Sequence, residues 1–340
     1  MIYRFAFIIF VASFIAACSG TGTTIPAAPG DQAGTMNFIA ALGRPQVDYY
    51  ATPTQSSWPE YIRMGPDGNL WFTEFYVNQL ARITPDGTIT EFREPADNDV
   101  EALVTGPDGN IWFTSPGSNR IGRMTTTGTF TMFDIATPNS SPRGIAVGPD
   151  GNLWFTEYQG DKIGRITTAG AIREFALPTG SSPWEIIAGA DGIMYVTDST
   201  SDDIARFNPM TLRFMSSLNL HRFDNPWGLT IGQDHNVWFT GRHSAKIGVI
   251  VNGKVTEFKI PTAGAYPDDL AQGSDGIFYI TDSLRNSISR FNPATGTFER
   301  HILLDSASIP TAVVAGPDGN MWFTDPSYTD PARIGRIKLN

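Results

Sequence analysis

The 340-residue chain has one cysteine, four histidines and a charged fraction of only 17%. A single thiol excludes an intramolecular disulfide and any zinc site built from several thiolates. Lysine and arginine total 24 against 34 aspartates and glutamates, a formal charge of −10, so the broad basic face that binds nucleic-acid phosphates is missing. The apolar run Phe5 to Ala17 has 13 residues, short of the roughly 20 that span a bilayer. Absent too are Gly-x-Ser-x-Gly, His-Glu-x-x-His and a phosphate loop. Helical apolar periodicity is also lacking.

Turn formers and aromatics are plentiful. The chain has 34 glycines, 24 prolines, 8 tryptophans and 22 phenylalanines, and is 41% hydrophobic. That supports a sizeable core and excludes wholesale disorder. At the N-terminus, Arg4, the apolar run and a small-residue exit form the pattern of a secretory signal peptide, residues 1–17. The ending Ile15-Ala16-Ala17-Cys18 resembles the lipobox of bacterial lipoproteins. It implies lipidation of Cys18, export, and anchoring at the cell envelope through acyl chains alone. Residues 18–44 are small, polar and rich in Gly, Pro and Ala, the composition of a flexible tether.

From residue 45 onward one unit recurs. Gly65-Pro-Asp-Gly-Asn-Leu-Trp-Phe-Thr73 returns at Gly106, Gly148, Gly189, Gly232, Gly273 and Gly316, 41 to 43 residues apart. A period of that length filled with strand signals indicates a β-propeller with one four-stranded blade per repeat, seven in all. In the first copy the strands fall at Glu60 to Met64, Leu70 to Thr73, Leu80 to Thr84 and Thr88 to Phe92, with Asp-Gly turns at Asp67 and Asp86. The last copy ends before its fourth strand. The segment Gln46 to Pro53 lies in the phase of the missing one, so the N-terminus is expected to close the ring and leave no open sheet edge. The Trp-Phe-Thr stripe is packing between blades, and the Asp-Gly pairs, with one carboxylate each, are turns and not calcium loops.

The end of the wheel opposite the Asp-Gly turns should carry function, because its loops are longer and vary from copy to copy. The residue at the head of each inner strand should face the central axis. In order these are Glu60, Glu101, Arg143, Trp184, Trp227, Asp268 and Thr311. The first position after each Trp-Phe-Thr strand adds Glu74, Ser115, Glu157, Asp198, Gly241, Asp282 and Asp325. Converging carboxylates beside two tryptophans suit a cyclic or apolar ligand, with Mg²⁺ or Ca²⁺ held by Glu60, Glu101 and Asp325. The histidines are dispersed. His221 and His243 fall in loops on the functional face, and His235 and His301 lie elsewhere.

The run of GPDGNLWFTE, IGRITPDGTITEF and a proline-led inner strand resembles the virginiamycin B lyase (streptogramin lyase) family over about residues 46–340. The blades at Tyr195 and Tyr279 also look like those of NHL and gluconolactonase-type propellers. The resemblance implies a seven-bladed propeller that opens a cyclic depsipeptide antibiotic by eliminating its ester, with magnesium at the central face. It further implies a histidine after the inner-strand proline of each of the last two blades, positions held here by Asp268 and Thr311. A glutamate implied beyond the second strand of the last blade corresponds to Asp325. The expected function is therefore binding of a small molecule, peptide or envelope protein by a monomer, without turnover. The alternative is a metal-dependent carbon–oxygen lyase or a lactonase-type hydrolase at the same face, with Asp268 as base.

Overall fold

A computed structural model describes residues 46–96, 99–220, 224–299, 301–327 and 331–339. The signal peptide, Cys18, the tether and His221 lie outside the described residues. Seven antiparallel sheets follow one another along the chain. The first blade comprises Pro59–Met64, Leu70–Glu74, Gln79–Ile83 and Ile89–Arg93, within one residue of the sequence reading at every strand.

The seventh blade joins the first described strand to the last. Val47–Ala51 pairs antiparallel with Arg333–Ile337, Tyr49 lying opposite Gly335. This is the closure expected from the sequence. The sixth blade departs from the pattern: its outer strand is broken into Thr297–Phe298 and Ile302–Leu303, both paired to Ser287–Asn292.

Each letter of the repeat has a structural role. Gly68 turns the first hairpin at φ +75°, a region side-chain-bearing residues seldom adopt. The carboxylate of Asp67 accepts the Trp71 indole N–H at 2.9 Å and meets Arg82 at 3.3 Å. The same Trp-to-Asp bond recurs from Trp112, Trp154, Trp238 and Trp322. Tyrosine hydroxyls make it from Tyr195 and Tyr279. Each buried tryptophan stacks on the phenylalanine of its own outer strand, as Trp71 on Phe92 and Trp112 on Phe133. In the seventh blade Tyr50, from the N-terminal strand, takes that place on Trp322 at 5.4 Å. Apolar clusters bridge adjacent blades, as where Ile62 and Phe72 meet Trp322 and Ile334.

Threonine ties the blades at the axis. The Thr156 hydroxyl accepts the Gly144 amide of its own blade at 2.9 Å and donates to the Trp184 carbonyl of the next at 2.8 Å. Thr114, Thr197, Thr240, Thr281 and Thr324 make the same pair of bonds.

Candidate functional site at the channel mouth

The inner strands open at the mouth, the end opposite the Asp-Gly turns. Five of them begin with a proline followed by a register shift, as between Pro59 and Ile62 and between Pro183 and Ile186. A bulge re-aims side chains, and here two consecutive residues of a strand reach the channel. The first set is the ring read from the sequence, and the structure brings its members together. Glu60, Trp184, Trp227, Asp268 and Thr311 line one cavity of about 50 Å³.

The ring is a chain of stacked and paired groups. Glu101 is ion-paired to Arg143. The Arg143 guanidinium lies 5.0 Å from the Trp184 ring centre. Trp184 and Trp227 stack at 3.9 Å with 31° between their planes. Arg242 covers the Trp227 ring at 3.3 Å and is ion-paired to Asp268. A tryptophan pair is thus clamped between two guanidinium planes, each neutralised by a buried carboxylate. Tyr158 meets Trp184 edge-on at 5.6 Å, and Tyr266 lies 5.1 Å from Arg242. Thr311 donates to the Glu60 carbonyl.

Glu60 is the carboxylate this pairing leaves over. Burial, then the nearby Glu101 charge, raises it to about 8 against the pull of Arg143 and Arg242. Asp268 is in the opposite position: Arg242 holds one oxygen and the Ser283 amide the other at 3.0 Å. The residue expected as a base is therefore an ion-pair partner.

The second set of expected ring residues does not join the mouth. These residues close the second strands, opposite the inner-strand prolines, as Glu74 opposite Pro59, and the side chains of Glu157 and Asp325 meet groups of their own blades. Glu157 sits beside Lys162, Glu174 and Ser140 and is raised to about 7 by burial, then by Glu174. Asp325 accepts from Ser308 Oγ, the Ile309 amide and Arg333 Nε, all at 2.8–2.9 Å. Consequently the expected metal set of Glu60, Glu101 and Asp325 is not assembled. Glu101 belongs to Arg143 and Asp325 to Arg333, and among the described residues no three of His, Cys, Asp and Glu converge as ligands. A divalent cation does not fit these residues as they stand.

Sequence reasoning missed Arg242 and a second layer formed by Tyr61, Arg63, Glu185 and Asp269. The Tyr61 hydroxyl donates to Glu185 at 3.2 Å, and Arg63 meets Asp269 at 3.5 Å. Burial, opposed by Arg63, raises Glu185 to about 7. One signal was available. Where Tyr61, Glu185 and Asp269 stand, other repeats carry Ala102, Gly144, Gly228 and Ala312. A Cβ on Gly144 would lie 2.8 Å from the Trp184 carbonyl oxygen, so small residues there admit the neighbouring strand.

A family model described as the virginiamycin B lyase family matches residues 33–212 and 211–340. A virginiamycin B lyase of Nocardia farcinica is 28% identical over 145 residues, 42% of this chain and 50% of that protein. The chain thus spans about half the length of the curated relative it matches. Among solved structures, one titled as a streptogramin B lyase superposes with a TM-score of 0.81 at 32% identity, covering 87% of this chain and 98% of its own. A catalytically inactive histidine-to-alanine variant of the virginiamycin B lyase from Staphylococcus aureus, solved with quinupristin, gives 0.80 at 31%, with 87% and 99% covered.

Proposed function

This chain belongs to the virginiamycin B lyase family, and from that premise we propose that it binds a compact cyclic or peptide ligand at the mouth without opening it. One observation carries the reading. Of the two positions where the family resemblance implies histidines, Asp268 is held in an ion pair and Thr311 donates to a backbone carbonyl. The Trp184–Trp227 pair, its outer faces covered by Arg143 and Arg242, offers its ring edges with Tyr158 and Tyr266 as an aromatic rim. Glu60, raised to about 8, offers a protonated carboxyl that can donate a hydrogen bond near neutral pH.

The first ligand to test is quinupristin, present in the similar Staphylococcus aureus structure. Calorimetric titration should show binding that Trp227→Ala weakens about tenfold or more, a loss of ~1.4 kcal/mol. Chromatography of the same mixture, with and without Mg²⁺, should return the intact cyclic compound. No binding, or a linear product, overturns the proposal.

A second reading, a carbon–oxygen lyase or lactonase-type hydrolase at the same mouth, is favoured by Glu60, whose raised position suits a base near neutral pH. A linear product of unchanged mass would identify elimination, and one heavier by a water hydrolysis. Loss of either product in Glu60→Gln would assign the base.

We also propose export and lipid anchoring through Cys18, from the run preceding it. Labelled palmitate should enter the wild-type protein and not Cys18→Ser; equal labelling of both removes the anchor.

A further inference from the structure

Below the mouth the channel does not run straight through. Tyr61 and Arg63 from the first blade, Glu185 from the fourth and Asp269 from the sixth meet across it and form a partition. On the Asp-Gly turn side of that partition lies a separate cavity of about 330 Å³, within the range of small-ligand pockets. Its walls are aliphatic: Val104, Ala146, Ile187, Ala271 and Val314 come from five different blades. Most of these side chains are only half-buried, so the cavity meets solvent. Its polar groups are concentrated at the partition, where Arg63, Glu185 and Asp269 face both cavities.

The charges of the partition do not cancel. Arg63 is shared with Asp269, whose carboxylate also accepts the Leu270 and Val313 amides. Glu185 accepts from Tyr61, a neutral donor, and its burial is not matched by a cation of its own. Two carboxylates against one guanidinium leave a single negative charge at the bottom of an apolar well. The complement of that arrangement is a molecule with an apolar body and one cationic end.

We propose that this cavity is a second small-molecule site, separate from the mouth, that binds a primary aliphatic or alicyclic ammonium ion with its charge against Glu185 and its hydrocarbon among the aliphatic walls. Burial, opposed by Arg63, raises Glu185 to about 7, with Asp269 adding to the rise and Tyr61 opposing it. A cation binds the ionised carboxylate, so affinity should rise between pH 6 and pH 8.

The test is calorimetric titration of the full chain with cyclohexylamine, cyclohexanol and cyclohexanecarboxylate at both pH values. Cyclohexylamine should bind at pH 8 at least about tenfold more tightly than cyclohexanol, a difference of ~1.4 kcal/mol, and the carboxylate should not bind. Ala271→Phe, or Val314→Phe if the first variant does not fold, fills the well and should abolish amine binding. Trp227→Ala, at the mouth, should leave it within about twofold. Glu185→Gln should reduce the amine to the level of the alcohol and remove the pH dependence. Amine binding that survives the filled cavity, equal binding of the carboxylate, or no amine binding at pH 8 overturns the proposal. Because the mouth variant is carried in parallel, failure here is distinguishable from failure of the mouth reading.

Discussion

Two residues decide what the mouth can do, and neither does so alone. Asp268 is almost fully buried, and Arg242 covers Trp227 and pairs with this carboxylate. Removing one partner of a buried pair leaves an uncompensated charge, whereas removing both need not. Arg242→Gln should therefore cost about 3 kcal/mol in urea unfolding. The double variant Arg242→Gln with Asp268→Asn should recover most of that loss relative to the sum of the two single variants. If the two single losses simply add, the pair is not coupled and the clamp is only a contact. Arg242 was illegible in the sequence because nothing in the repeat distinguishes the second residue beyond Trp-Phe-Thr. The contact that gives it meaning comes from an indole on the neighbouring strand and a carboxylate one blade away.

Strands were far easier to read than the directions of their side chains. The Asp-Gly turns and the Trp-Phe-Thr runs locate the blade strands because both recur in phase, and Gln46 to Pro53 declared itself by falling where a strand was missing. The second polar layer was hidden, since simple alternation sends Glu60 inward and Tyr61 away. The register shift after Pro59 breaks that alternation. The same rule misplaced Asp325, which faces Arg333 and not the axis.

The closing strand carries a prediction of its own. It supplies Tyr50 to stack on Trp322 and Asp48 to pair with Arg336. Deleting residues 46–52 exposes Arg333–Ile337 as an unpaired edge. The truncated chain should self-associate at micromolar concentration in sedimentation velocity runs where the full chain stays monomeric. A monomeric truncated protein with an unchanged melting temperature would show that closure is dispensable.

The whole wheel is expected to be most stable in mild acid. Burial raises Glu60 and Glu74 to about 8, Glu157 and Glu185 to about 7, and Asp282 to about 6. In the unfolded chain all of them ionise near pH 4. Between that value and their folded positions the native state holds protons the unfolded state has lost, so stability falls as pH rises from about 4 to about 8 and then levels. The turn aspartates act oppositely. Against the upward push of burial, donors such as Trp71 hold Asp67 low, and Asp108, Asp150 and Asp318 are alike. Their contribution disappears as pH drops below about 4. Melting temperatures measured from pH 3 to 9 should peak between about 4 and 6; a maximum above pH 8 would contradict these environments.

Closure also sets a direction in space. Gln46 accepts the Lys338 amide, and Leu339 beside it bonds Asn320 of an Asp-Gly turn. The chain thus enters the ring on the side away from Trp184 and Trp227. The aliphatic well therefore opens on the side where the described chain begins and the tryptophan pair on the opposite one, so that the two openings sample different neighbourhoods.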